Sequence, residues 1–399
     1  MPKVSIILTS FNHEKYLREA IDSALNQSFD DFECIIWDDA STDNSWEIIC
    51  SYTDARIIAC RNSQNFGGGN INRALEIAKG EYIAIHHSDD VWELDKLAKQ
   101  VAFLDSRDDI GAVFTNALAI NEDGQTFVDE DHFYYKIFDQ QNKTRFEWLR
   151  HFFIQGNALC HPSVLIRKSC FDDCGLYRVG LAQLGDFDMW IRLILKHDIY
   201  VFSEKMVRFR VRDSEANASG SRPETRSRVY FEHLLLLSNY LKVDKLEDVI
   251  KIFPEAQKYC NGKIASARYA LAMAILEIKP FNFAVQFALQ ILFELLNNPD
   301  ENERLIFDSK EFVRLTGELD PLGGGSFERL SQAVSDRDWQ IANLSQAVSD
   351  RDVQIASLIQ FVSEEQIIIQ SILQSNSWRI TAPLRTMRTL VIRLLHFLS

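Results

Sequence analysis

Gly80-Glu81-Tyr82-Ile83-Ala84-Ile85-His86-His87-Ser88-Asp89-Asp90 is an apolar run that opens on a glycine, stops in two aspartates and is followed by a helical pattern. The run reads as a buried strand, and the aspartates sit at its carboxyl end, where open α/β sheets bind their ligands. Paired carboxylates are hard oxygen donors, which suggests a divalent cation and a phosphorylated substrate. The same two residues also suit a turn that caps a helix at Glu93 or Leu94. Flanking segments decide between these readings.

Upstream, Lys3 to Thr9 reads as a strand and Glu14 to Asn26 as an amphipathic helix with Leu17, Ala20, Ile21, Ala24 and Leu25 inward. Glu33 to Trp37 follows as a strand, Asp43 to Tyr52 as a helix, Arg56 to Cys60 as a strand and Ile71 to Lys79 as a helix. This alternation predicts a doubly wound, mostly parallel α/β sheet. Downstream, Leu94, Leu97, Val101 and Leu104 share a helical face, and Ala112 to Thr115, Pro162 to Ile166 and Val207 to Arg212 read as further strands. The polar run Asp213 to Arg222 closes a first domain, residues 1–222. A helical domain spans 223–320, punctuated by Pro254, Pro280 and Pro299, and Pro321-Leu322-Gly323-Gly324-Gly325 is a hinge.

Beyond the hinge, Leu330 to Asn343 is nearly duplicated as Leu344 to Ser357, a repeat of 14 residues or two heptads. Leu330, Val334, Ile341, Leu344, Val348, Ile355, Leu358, Val362, Ile369 and Ile372 form a 4,3 seam interrupted by Arg337, Arg351 and Glu365. Residues 326–374 are therefore expected to be a coiled coil that makes a homo-oligomer. The last segment, 375–399, predicts a basic amphipathic helix, with Leu384, Met387, Val391, Leu394, Leu395 and Leu398 on one face and Arg385, Arg388 and Arg393 on or beside the other. Such a helix suits an anionic membrane interface, with Trp378 at headgroup level, or else docks on the protein's own acidic body.

The chain has 399 residues, 46% of them hydrophobic, enough for more than one core. Its net charge of −14 argues against a general nucleic-acid binder. Four arginines and no acid lie between Asn376 and Ser399, so the rest of the chain carries −18. Seven cysteines lack a pairing pattern, no signal sequence opens the chain, and no apolar stretch approaches the ~20 residues that span a bilayer. The expected location is the cytoplasm, peripheral on the inner face of the cell membrane.

Three more polar clusters belong to the same sheet edge: Thr9-Ser10-Phe11-Asn12, Asp38-Asp39-Ala40-Ser41-Thr42-Asp43 and Asn65-Phe66-Gly67-Gly68-Gly69-Asn70. Short polar groups at strand ends, set before helix N-termini, grip a base, a ribose and phosphates. Asp43 doubles as a helix cap, whereas Asp39 precedes the helix by several residues. With Asn72, Ala78-Lys79-Gly80-Glu81-Tyr82, Ser88-Asp89-Asp90 and Trp92, the order of motifs resembles family 2 glycosyltransferases of the GT-A fold over roughly the first 215 residues. Bacterial polysaccharide and O-antigen transferases are the members it is most similar to.

The resemblance implies a nucleoside diphosphate sugar donor, a glycan acceptor and a divalent cofactor, Mn2+ or Mg2+. It implies that Asp39 contacts the base with Thr9 in support, that Asn72 belongs to the donor site, and that Asp89 and Asp90 hold ribose and metal. The family commonly has Asp where this chain has His87, and often an Arg near the diphosphate where it has Ile71. Arg210 or Arg212 could supply that charge. Gly185-Asp186-Phe187-Asp188-Met189-Trp190-Ile191-Arg192 matches the family's catalytic segment, which implies Asp186 as the base and Trp190 and Asp188 at the acceptor. The structural alternative is that Asp186 caps the helix and Asp188 pairs with Arg192. His161 reads mainly as a satisfied structural histidine, with an acceptor contact as the lesser reading. The reaction expected is inverting transfer to a hydroxyl of a growing lipid-linked surface glycan. The competing readings are transfer to a polyprenyl phosphate and an inert GT-A scaffold tethered to the membrane.

Overall fold

Successive side chains of a strand point to opposite faces, so each strand end delivers alternate residues to the two sides of a sheet. In the computed structural model, which describes residues 1–67, 70–213, 217, 219–220, 222–260, 266–298, 307–319, 324–375, 384–390 and 392–393, that rule organises the molecule. The first half runs β1 (Val4–Ser10), α1 (Leu17–Leu25), β2 (Phe32–Asp38), α2 (Ser45–Cys50), β3 (Ile57–Arg61), α3 (Asn70–Ile77), β4 (Tyr82–His87), β5 (Val91–Trp92), α4 (Lys96–Asp105) and β6 (Ile110–Ile120). Then come α5 (Arg145–Gln155), β7 (Leu165–Arg167), α6 (Cys170–Cys174), α7 (Gly185–Ile194) and β8 (Asp198–Arg210). Eight strands make one sheet in the order β3-β2-β1-β4-β7-β6-β8-β5.

The first four of these are parallel, but β7 runs antiparallel to both β4 and β6, so the sheet is mixed. Ile7, Ile35, Ile83 and Ile85 face one core with α3, α5 and α7, while Ile6, Leu8, Ile36 and Ala84 face another with α1, α2 and α4. Register aligns the carboxyl ends: Thr9 lies beside both Trp37 and His87, and Ser10 beside Asp38. The expected helix at Leu94 starts later, at Lys96. Val91 and Trp92 instead pair with β8, the Glu93 amide donates to the Met206 carbonyl, and Leu94 is left 58% exposed.

Residues 223–319 add α8 (Pro223–Leu237), α9 (Leu246–Ile252), α10 (Ala267–Ile278), α11 (Asn282–Leu296) and α12 (Ser309–Glu318). Leu236, Phe253, Leu271, Ile275 and Leu292 share a core with Ile83, Trp148 and Trp190, so these helices are packed onto the sheet within one compact unit, Met1–Leu322. Gly323–Ser399 is a second unit. It contains α13 (Gly324–Gln374), 51 residues long, or roughly 75 Å at about 1.5 Å per residue. Val334, Ile341, Leu344, Val348, Ile355, Leu358, Val362 and Ile369 are all at least half exposed along it. Among the described residues no helix is long and apolar enough to cross a membrane. Residues 384–390 are helical, while Trp378, Val391 and residues 394–399 of the expected amphipathic face lie outside the described residues.

Candidate active site

The odd and even positions of β4 part company at its end. His86 turns toward α1, where its ring stacks on Trp92 at 4.2 Å. His87 turns to the other face, toward α7, as Ile83 and Ile85 do. Asp89 and Asp90 follow in a turn, and neither caps a helix, because the N-cap of α4 is Asp95. One ligand atom each from His87, Asp89 and Asp90 lies within 4.8 Å of the others.

Asp90 is 1% exposed. Its Oδ1 accepts from the Arg210 amide at 2.8 Å, but Oδ2 has no hydrogen-bond partner among the described residues, and Nδ1 of His87 lies 3.4 Å from it. An unpaired buried carboxylate oxygen is costly unless a cation completes it. Burial, and then the negative charge of Asp90, raise the Asp89 carboxyl above its ordinary range. The residues present therefore fit a divalent cation. Burial depresses the basicity of His87, but its close contact with the Asp90 carboxylate, with the charges of Asp89 and Asp186 behind it, outweighs that and leaves it raised.

His87 Nε2 lies 3.1 Å from His161 Nδ1, and His161 Nε2 lies 3.0 Å from the Tyr177 hydroxyl. Burial holds His161 well below the usual imidazole range, so that ring is neutral. His161 is thus tied into the site through His87, beyond the structural part expected of it. Tyr177 had no signal in the sequence, because nothing local marks an aromatic in a loop as the end of a relay.

Asp186 sits in the first turn of α7. Its Oδ1 accepts from the Phe187 amide at 2.7 Å and its Oδ2 from Asn157 Nδ2 at 3.0 Å, while the helix N-cap is Leu184. Burial pushes its carboxyl up to about 6, the range in which a carboxylate works as a general base near neutrality. The loop before it is held from the helical segment. Glu232 of α8, 3% exposed, accepts from the amides of Ala182, Gln183 and Leu184 at 2.8, 2.9 and 2.7 Å. Glu232 reads in sequence as one more acid on a helix, and only packing reveals it.

Other expected site residues have different partners. Asp188 is fully buried; Oδ1 accepts from Arg178 at 3.0 Å and Asn239 at 2.9 Å, and Oδ2 from Arg192 at 2.8 Å. Trp190 is likewise fully buried, edge-on to Phe114 at 4.8 Å. Acceptor contact, expected of both, does not fit that burial; they brace α7. Both ends of the Asn72 amide are bonded to the backbone of Tyr177, at 2.8 and 3.0 Å. Asp39 accepts from Asn62 Nδ2 at 2.8 Å and from the amides of Phe66 and Gly67 at 2.9 and 3.0 Å, so it shapes the glycine loop; Gly68 and Gly69 lie outside the described residues. Thr9 is partly buried at the end of β1, beside His87.

Ile71 is in the core, which leaves the diphosphate charge to another residue. Arg210, 1% exposed, is spent on the carbonyls of Asp89, Asn121 and Glu122 and on Glu19. Arg212 is different: Nη1 donates to His13 Nε2 at 3.1 Å, and its buried Nε has no partner. His13, kept neutral by burial, lies 4.0 Å from Asp89 and 2.7 Å from the Ser88 hydroxyl. It follows the Thr9 to Asn12 cluster by one residue, and no local motif marks it in the sequence.

A mixed sheet whose parallel strands end together in short polar loops is the GT-A-like arrangement that the motif order implied. The family model for glycosyl transferase family 2 matches residues 5–167. An uncharacterized glycosyltransferase of Methanocaldococcus jannaschii is 32% identical over 216 residues, covering 53% of this chain and 71% of that protein. The chain belongs to glycosyl transferase family 2. The Escherichia coli UDP-Glc:alpha-D-GlcNAc-diphosphoundecaprenol beta-1,3-glucosyltransferase WfaP is 42% identical over 107 residues, which are 27% of this chain and 43% of that one. The crystal structure of Staphylococcus aureus TarS 1-349 with UDP-GlcNAc shares the fold at a TM-score of 0.53 and 18% identity, covering 77% of this chain and 91% of that one.

Proposed function

We propose that this glycosyltransferase moves a sugar, with inversion, from a nucleoside diphosphate sugar to a hydroxyl of a growing lipid-linked surface glycan. The observation that carries the reading is Asp186, a carboxyl held near 6 by burial and close enough to His87 for mutual electrostatic influence. A hydroxyl acceptor must lose a proton as it attacks, and a phosphate acceptor scarcely needs a base. Asp186 takes that proton while the acceptor oxygen bonds to the anomeric carbon; on the opposite face the bond to the diphosphate breaks, and the nucleoside diphosphate leaves. One displacement with one base inverts the centre. His87, Asp89 and Asp90 would hold a divalent cation, which supplies charge neutralisation at the departing diphosphate when bound. Arg212 offers its unpartnered Nε to the same charge. Asp39 orders the loop at Phe66 and Gly67 against which the nucleotide rests.

The WfaP name carries both a UDP sugar and a lipid diphosphate acceptor, and TarS binds UDP-GlcNAc, which support a UDP sugar and a polyprenyl-linked glycan here. The basic tail supports a peripheral place on an anionic cytoplasmic membrane face, and α13 supports assembly through a coiled coil. The test is nucleoside diphosphate release by the purified full-length protein across UDP, GDP and dTDP sugars with a lipid diphosphate acceptor. Release with one donor, stopped by excess EDTA and restored by Mn2+ or Mg2+, is expected. Full activity in EDTA refutes the metal dependence, and failure to bind any donor leaves the tethered scaffold.

A further inference from the structure

We propose that His87 is itself a ligand of the cation, giving this chain a nitrogen-containing His-Asp-Asp donor set that selects a transition ion such as Mn2+ over Mg2+. The inference rests on the metal-dependent reading above and concerns which ion the site takes.

Three observations meet here. First, the ligand atoms of His87, Asp89 and Asp90 lie within 4.8 Å of one another, so an imidazole nitrogen is part of the same cluster as the two carboxylates. Second, Oδ2 of Asp90 is buried without a hydrogen-bond partner, with Nδ1 of His87 3.4 Å away. The charge of the buried carboxylate oxygen is balanced either by a proton on Nδ1 or by a metal ion held between the two atoms. Third, the far side of the ring is fixed. An ion on Nδ1 leaves the ring proton on Nε2, which then donates to His161 Nδ1 at 3.1 Å. With Nδ1 of His161 accepting that proton, its Nε2–H donates to the Tyr177 hydroxyl at 3.0 Å. Every ring nitrogen is satisfied in one direction, the outer-shell arrangement that orients metal-binding histidines. Tyr177 is in turn anchored through its backbone to Asn72, so the relay ends on a fixed point of the fold.

The chemistry of the donor set gives the selectivity. Oxygen-only sites suit Mg2+, Ca2+ and Mn2+ alike, whereas imidazole favours first-row transition ions, with affinity rising along the series from Mn2+. A histidine in place of an acid also removes one negative charge, which weakens the attraction for a hard, strongly hydrated ion.

The test uses the full-length protein with Mn2+ alone and with Mn2+ plus UDP, read by electron paramagnetic resonance. Loss of the free Mn2+ signal measures binding, added Mg2+ measures competition, and pulsed experiments detect nitrogen coupled to the bound ion. His87→Asp restores an all-oxygen set and guards against a cavity-forming variant. In the wild type a directly coupled nitrogen is expected, absent in His87→Asp, and the preference for Mn2+ over Mg2+ should fall by about tenfold or more in that variant. Binding without a coupled nitrogen overturns the proposal and leaves metal dependence standing. A coupling that persists in His87→Asp overturns it too, because the nitrogen then belongs to another imidazole such as His13. No binding in either condition removes the metal-dependent reading and the proposal with it.

Discussion

Replacing Asp186 with Asn tests whether the site stores free energy that catalysis uses. In the folded chain burial raises this carboxyl from an ordinary 3.8 to about 6. At about 1.4 kcal/mol per pH unit, the difference corresponds to about 3 kcal/mol. The folded state holds the proton more tightly than the unfolded state, so the contribution of Asp186 to stability is fully present below pH about 4 and is lost as pH rises through about 6. Asp186→Asn cannot ionise and escapes that loss. At pH 7.5 its unfolding free energy from urea denaturation should exceed that of the wild type by up to about 3 kcal/mol, less whatever is lost in the bonds from Asn157 and the Phe187 amide. Turnover to a hydroxyl acceptor should fall about 100- to 10,000-fold, with donor affinity unchanged, because only proton removal is lost. In the wild type, kcat/KM should rise with pH up to about 6 and then level, and the variant should lack that limb. Initial rates from pH 5 to 9, calorimetric donor binding and urea denaturation measure the three quantities. A limb that survives in the variant, or donor affinity lost in step with rate, refutes the assignment of Asp186 as the base.

Glu232→Gln keeps the size of the side chain but weakens three charge-assisted bonds to residues 182–184; kcat should drop with donor affinity unchanged, and a variant with wild-type kcat would show that α8 does not position Asp186. Deleting Ser326 to Gln374 should lower the oligomer to a smaller species in sedimentation while transfer to a soluble acceptor persists, and an unchanged mass would remove the heptads from assembly. Truncation before Trp378 should release the protein from anionic vesicles with transfer to a soluble acceptor intact, and unaltered co-sedimentation counts against a membrane role for the tail.

The sequence by itself determined the α/β class, the strand that leads to Asp89 and Asp90, the family and the helix that carries Asp186 in its first turn, because local periodicity and motif order survive in one dimension. It also displayed the heptad repeat, whose 14-residue period needs no fold to be seen. Which polar groups still have capacity is a matter of the partners that packing brings, and those lie far away in the chain. Arg210 and Arg212 are equivalent in sequence, but the fold spends the first on three carbonyls and Glu19 and leaves the second an unpartnered Nε. Asp188 and Trp190 share the helix of Asp186, yet packing encloses α7 on every side from Phe187 to Ile194, so both are buried while Asp186 stays partly exposed at the open end of the helix. Only the tertiary structure brought His161 and Tyr177 behind His87, and Glu232 under the loop of Asp186, since strand parity and helix docking set those contacts across 16 to 74 residues of chain.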